Sequence, residues 1–166
     1  MTSRRRRGHT VKLVIQRVSE AKVRIGDRVV GAIGCGLLVL VGIEKGDGRE
    51  EIVRAARRVA TLRVFEDDQG KMNRGLDEVG GAVLAVSQFT LAASIRRGRR
   101  PAFDHAMKGD EAITLFDVFV DELRAEGLQV ETGEFGAYMD VELINSGPVT
   151  LLWDEQGHGQ ERVKFG

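Results

Sequence analysis

Leu37-Leu38-Val39-Leu40-Val41-Gly42-Ile43 is an unbroken apolar run of strand length, and shortly after it Ile52, Ala55, Ala56, Val59 and Leu62 recur at helical spacing. A continuous apolar strand reads as buried on both faces. The helical stripe carries arginines on its other side, and Asp47 stands where an N-cap is wanted. A buried strand that hands over to an amphipathic helix predicts an α/β fold.

Upstream, Val11–Val18 is rich in β-branched residues, Ala21–Ile25 alternates, Gly26-Asp27 offers a turn before Arg28–Ile33, and Gly34-Cys35-Gly36 precedes the apolar run. These segments read as a meander of strands. Downstream, Leu62–Phe65 reads as a short strand, Glu66–Gly70 as a turn, and Val83–Phe89 as a second strand buried on both faces. A second helix is expected over about Asp110–Glu126, with the stripe Ile113, Phe116, Phe119 or Val120, and Leu123, and with Gly127 as its left-handed cap. Strands at Leu128–Glu131, Tyr138–Asn145 and Val149–Trp153 complete a single α/β domain with more strand than helix.

The chain has 166 residues, 42% hydrophobic and 30% charged, which is one domain of globular composition and excludes a modular multi-domain enzyme. Met1–Thr10 is expected to be a disordered basic arm, residues 11–153 the folded domain, and residues 154–166 a polar tail. Cys35 is the single cysteine, so no internal disulfide forms and the cytoplasm is the default compartment. The longest apolar run falls far short of the ~20 residues of a membrane span. Lys+Arg and Asp+Glu both total 25, but Arg4–Arg7 hold four of the positive charges, leaving 21 against 25 over residues 8–166. That body is mildly acidic, so a nucleic-acid partner must be held by local clusters or by shape, and DNA is not expected.

Familiar catalytic chemistry is scarce. His9, His105 and His158 lack metal-ligand spacing and one cysteine cannot complete a zinc site, so no metal is expected. Gly31, Gly34 and Gly36 run from strand to strand with no helix behind them to bind phosphate, and no cofactor is expected. Two segments break the pattern. Ser87-Gln88-Phe89-Thr90-Leu91 ends a buried strand in hydroxyl and amide groups, either an ordinary strand end or an edge whose main-chain N–H groups stabilise an oxyanion. In Asn145-Ser146-Gly147-Pro148-Val149-Thr150 a Gly-Pro interrupts a strand pattern, as an edge, a bulge or a turn.

Together these two segments resemble the paired motifs of the D-aminoacyl-tRNA deacylase family. Val11–Val18, Gly31–Glu44, Lys71-Met72-Asn73, Gly98-Arg99-Arg100-Pro101 and Val130–Ala137 extend the resemblance, in order, over about residues 11 to 153. The resemblance implies a barrel-like core with two main helices packed outside, a homodimer with its site at the subunit interface, and hydrolysis of the ester of D-aminoacyl-tRNA. It implies that Gly147-Pro148 is cis and enters the partner's pocket, where two main-chain carbonyls receive the α-ammonium and exclude an L side chain. Glycine, with no side chain to refuse, is expected to be cleared from tRNA-Ala as well.

By the same resemblance, main-chain N–H groups around Gln88, Phe89 and Thr90, beside Ser87, face the substrate carbonyl, and the 2′-hydroxyl of the terminal ribose helps activate water. Phe135, Gly136 and Ala137 line the pocket, and Arg17 orients the Gly-Pro loop. Thr90 is the side-chain nucleophile in the competing view, although no base stands beside it in the sequence. Arg96, Arg97, Arg99 and Arg100 lie where they meet acceptor-stem phosphates, or form a solvated face. The first ten residues, which precede the resemblance, are either an RNA-touching arm or the product of a start site assigned too early. Two other readings stand beside the deacylase: a non-catalytic tRNA-binding dimer, and a small-molecule esterase using Thr90.

Overall fold

The computed structural model describes residues 10–154. The basic arm and the polar tail named above therefore lie outside the described residues, apart from Thr10 and Asp154. Eight strands and three α-helices follow in the order β1 (Lys12–Ile25), β2 (Arg28–Ile33), β3 (Gly36–Gly42), α1 (Arg49–Thr61), β4 (Phe65–Glu66), β5 (Met72–Arg74), α2 (Leu76–Val79), β6 (Ala82–Ser87), α3 (Gly109–Ala125), β7 (Val130–Thr132) and β8 (Asp140–Asp154). A 3-10 turn, Phe89–Ala92, follows β6.

The strand β1 is the hub. Its first half pairs with β3 and its second half with β2, both antiparallel, while β8 runs antiparallel along its whole length. The expected meander is thus a long bent hairpin: the segments expected at Val11–Val18 and Ala21–Ile25 are one strand, and β2 and β3 lie end to end along one edge of it. Parallel pairing continues from β3 to β6 and from β6 to β7, through crossovers that contain the two long helices. Both faces of β3 and β6 are covered, which is why their sequences show no alternation.

Closure of the barrel depends on one absent side chain. At Gly31 of β2, a Cβ would stand 2.2 Å from the Thr132 carbonyl oxygen of β7, so only glycine lets these strands approach. Val18, Ala21, Val23, Ile33, Leu38, Leu84 and Val86 fill the barrel. Leu13, Ile15, Leu37, Val39 and Val41 face outward instead and meet Ile52, Ala55, Ala56 and Val59 of α1 and Phe116, Phe119 and Leu123 of α3. In α3 it is Ala112 rather than Ile113 that opens the buried stripe, and Gly127 has the left-handed φ of 85° expected of it.

Further readings need correction: of the strand expected at Leu62–Phe65 only Phe65 is in β4, and the two strands expected at Tyr138–Asn145 and Val149–Trp153 merge into the single β8. The strand expected over Val83–Phe89 stops at Ser87, because Gln88 turns the chain into the 3-10 turn. Asp47 does not cap α1. Gly48 is the N-cap, its N–H bound by Glu51, while the Asp47 carboxylate accepts the N–H groups of Val11 (3.0 Å) and Glu44 (2.7 Å). Asp47 thereby anchors the chain's entry into β1 to the exit from β3. Among the described residues no helix is long and apolar enough to cross a membrane.

Burial raises the Asp47 carboxyl from 3.8 to about 6, against the lowering effect of its two backbone hydrogen bonds. A folded-state pKa above the unfolded one means that the native state holds this proton more tightly, so the contribution is full below about pH 4 and is lost as pH rises through 6. Asp47→Asn removes the titration and leaves one backbone N–H short of an acceptor. The stability advantage of the native chain over Asp47→Asn in urea unfolding is therefore expected to shrink by no more than about 3 kcal/mol between pH 4 and pH 7. An advantage that grows with pH contradicts this assignment.

Candidate active site

The carboxyl ends of the parallel strands β3 and β6 leave an open end of the barrel, and a cavity of about 560 Å³ forms there. Ser87, Gln88, Phe89 and Thr90 line it from the end of β6, and Phe135, Gly136, Ala137, Tyr138 and Met139 from the connection between β7 and β8. Lys108, Gly109 and Ala112 enter from the start of α3, and Val86 and Val141 give it an apolar floor. Such a position follows from the topology, since chain segments diverge where parallel strands end. Ser87–Thr90 and Phe135–Ala137, 45 residues or more apart in sequence, share this one cavity.

Ser87, Gln88, Thr90, Lys108 and Tyr138 bring polar side chains to it, and the main chain around Gln88 brings amides. The Gln88 N–H donates to Val41 O at 2.8 Å and belongs to the sheet, so the expectation of three amides narrows to two. The first hydrogen bond of the 3-10 turn runs from the Leu91 N–H to Gln88 O, which leaves the Phe89 and Thr90 amides at the turn's start. Two successive amides at such a start form a donor pair suited to a developing oxyanion. The Thr90 hydroxyl accepts a hydrogen bond from the Gln88 carboxamide, which is no base. Among the described residues no histidine or carboxylate lines the cavity, and Lys108, which does, lies with its ammonium 5.9 Å from the centre of the Phe89 ring.

The Gly-Pro segment is a bulge in β8. Gln16 pairs with Thr150 and Val18 with Asn145, so the single residue Arg17 faces the four residues Ser146–Val149. Ser146, Gly147 and Pro148 are exposed, Val149 is buried, and the Gly147–Pro148 peptide bond is cis. Two side chains hold the bulge. Asn145 accepts the Val149 N–H at 2.8 Å and donates to the Thr150 hydroxyl at 2.9 Å. Arg17, buried, donates from Nε to Ser146 O at 2.9 Å and from Nη1 to Val64 O at 2.7 Å, with Glu66 4.0 Å from Nη2. Gly147 has φ 125°, and a Cβ there would stand 2.6 Å from Arg17 Nη2, so glycine is required twice over.

Within one chain these two loci are apart. Arg17 pairs with Leu37 at the start of β3, whereas Gln88 binds Val41 near its end, four residues or roughly 13 Å further along the strand. The bulge borders a separate depression with Arg17, Cys35, Phe65 and Glu66. The arginines Arg96, Arg97, Arg99 and Arg100 sit on an exposed loop closed by the Ser94–Ala102 bridge, and Phe103 just beyond it packs edge-on to Phe89 at 5.2 Å. That contact ties the basic loop to the cavity rim. Sequence reasoning missed Lys108, Tyr138 and Met139, since a pattern places a helix start or a strand start but not the wall it faces.

The comparisons place this barrel-like α/β domain in a class of hydrolases that act on aminoacyl-tRNA esters. The family model described as D-Tyr-tRNA(Tyr) deacylase matches residues 14–154. A D-aminoacyl-tRNA deacylase of Symbiobacterium thermophilum is 54% identical over 146 residues, 88% of this chain and 97% of that protein. One from Thermus aquaticus is 55% identical over 144 residues, 87% of this chain and 95% of that one. Among solved structures, one described as a c-Myc DNA Unwinding Element Binding Protein superposes with a TM-score of 0.79 at 38% identity, covering 86% of this chain and 97% of that one. The chain belongs to the D-Tyr-tRNA(Tyr) deacylase family.

Arg17 supplies a test of the bulge. Arg17→Met leaves the Ser146 and Val64 carbonyls without a charged donor and is expected to cost about 2–4 kcal/mol in urea unfolding. A lysine cannot fork to both oxygens, so Arg17→Lys should fall between the two. Equal stability of Arg17→Met and the native chain contradicts the clamp.

Proposed function

We propose that the protein hydrolyses the ester of D-aminoacyl-tRNA to free D-amino acid and tRNA, as a homodimer whose site is shared between subunits. The observation that carries this reading is the separation of the two loci: a cavity with an amide pair but no base, and an exposed Gly-Pro bulge some distance away on the same chain. Each is half of a site, and a second copy brings one chain's bulge to the other's cavity.

The chemistry asks little of side chains. The aminoacyl ester is activated, so positioning and oxyanion stabilisation carry the rate. The carbonyl oxygen faces the Phe89 and Thr90 amides, with Ser87 and Gln88 shaping the strand end, and the 2′-hydroxyl of the terminal ribose helps activate the water. Thr90 is poorly placed to act as nucleophile, because its hydroxyl is held by an amide and no base adjoins it. This favours the RNA-assisted route over an esterase that uses Thr90.

Chirality is then sorted by backbone. Carbonyl oxygens of the Gly147-Pro148 segment, oriented by Arg17, accept the α-ammonium and occupy the space an L side chain needs, against a pocket wall of Phe135, Gly136 and Ala137. Rejection by fixed backbone is blind to the identity of the D side chain. Glycine passes the same filter, so glycine mischarged to tRNA-Ala is a second substrate. The exposed Arg96, Arg97, Arg99 and Arg100 loop meets acceptor-stem phosphates. The protein acts in the cytoplasm, where tRNA is charged, and needs no cofactor for this route.

Purified protein is expected to hydrolyse D-tyrosyl-tRNA and to leave L-tyrosyl-tRNA intact. Thr90→Ala should keep activity within about tenfold, whereas a D-tyrosyl-tRNA ending in 2′-deoxyadenosine should lose at least about a hundredfold, the range of one general-base or positioning contribution. Similar rates on the D and L esters defeat the proposal, and loss with Thr90→Ala alone returns the esterase reading.

A further inference from the structure

We infer that Tyr138 is a stacking platform for the nucleotide immediately 5′ of the terminal adenosine. This rests on the deacylase reading of the cavity and extends it to a contact at that cavity's rim. Tyr138 is the only tyrosine of the chain and is 91% exposed, yet it belongs to the cavity lining. Within one chain the fold makes almost no use of its ring, although a tyrosine normally buries most of its apolar body. It stands at the rim, directly after the Phe135–Ala137 wall and before β8 begins at Asp140.

The size of the cavity gives this ring an occupant. About 560 Å³ is the volume of an ordinary small-ligand pocket and holds one nucleoside with its amino acid. The next nucleotide must therefore leave over the rim. The 3′ end of tRNA is single-stranded, and unpaired bases are held by stacking on exposed aromatic rings beside positive charge. The same rim carries that charge in Lys108, whose ammonium lies against the half-exposed Phe89 ring, and the arginine loop is tied to it through Phe103. An amino-acid side chain or a free small molecule has no need of an aromatic surface outside the pocket. A polynucleotide does.

The test compares two substrates that share the same ester. kcat and KM are measured for the native chain, Tyr138→Ala and Tyr138→Phe on D-tyrosyl-tRNA and on D-tyrosyl-adenosine, which has no upstream nucleotide. With tRNA, Tyr138→Ala should raise KM about 5- to 50-fold with kcat within about twofold, and Tyr138→Phe should match the native chain. With D-tyrosyl-adenosine, where Tyr138 acts only as cavity lining, any rise in KM on Tyr138→Ala should be at least about fivefold smaller than with tRNA. An exposed tyrosine carries little stability, and an unchanged unfolding curve for Tyr138→Ala confirms that the fold is intact. An abasic residue at the penultimate position should reproduce the KM loss in the native chain and add nothing to Tyr138→Ala. An unchanged KM for tRNA, or an equal loss on both substrates, overturns the platform while leaving the deacylase reading standing. A native chain that hydrolyses neither substrate overturns the deacylase reading itself, and the platform with it.

Discussion

A buried guanidinium fixes the geometry of the Gly-Pro bulge, on which the proposed function turns. Arg17 is the one residue of β1 that faces four residues of β8, and it fills the mismatch by donating to the Ser146 carbonyl on one side and the Val64 carbonyl on the other. An apolar side chain leaves a buried acceptor and a part-buried one unmet, and a lysine cannot reach both. Asn145 closes the base of the same bulge. The result is a piece of exposed backbone presented by a sheet, rigid where a loop of the same length is not.

The rest of the fold places the complementary half. Parallel pairing of β3, β6 and β7 requires crossovers, the crossovers supply α1 and α3, and the strand ends open into the cavity at which α3 begins. Gly31 allows the barrel to close, so that Phe135–Met139 returns across its mouth. Among the described residues no histidine lines either locus and no carboxylate lines the cavity, and residues 8–166 carry no net positive charge to draw RNA in. In the proposed reading local features do both tasks: an amide pair for the ester, and a rim of arginine, lysine and tyrosine for the polynucleotide.

What was legible in the sequence follows from what side-chain patterns encode. The α/β class was legible because Leu37–Ile43 and the stripe from Ile52 to Val59 differ in period and are buried on different layers. The two unusual segments stood out through residues that disturb a ladder, Gly147-Pro148 above all. The merger of Val11–Val18 with Ala21–Ile25 was not legible, because Ser19 and Glu20, two consecutive exposed polar residues, interrupt the apolar pattern within the one strand. Asp47 was misread for a related reason: an aspartate before a helix has the chemistry of a cap, but its carboxylate was claimed by the Val11 and Glu44 amides, 36 and three residues away. The Gln88 amide was likewise claimed by a long-range bond to Val41. Lys108 and Tyr138 could not be assigned to a site at all, since which wall a helix start or a strand start faces is decided by tertiary packing.

The central claim is that a competent site needs the bulge of one chain and the cavity of another. It is tested most directly by mixing two disabled chains, one carrying Gly147→Val in the bulge and the other Phe89→Pro, which deletes an amide donor of the cavity at a position where proline fits the turn. Random exchange of subunits makes half the dimers mixed, each with one intact site, so D-tyrosyl-tRNA hydrolysis should return to about a quarter of the native level although either chain alone is inactive. A mixture that stays as inactive as its parents would contradict the account.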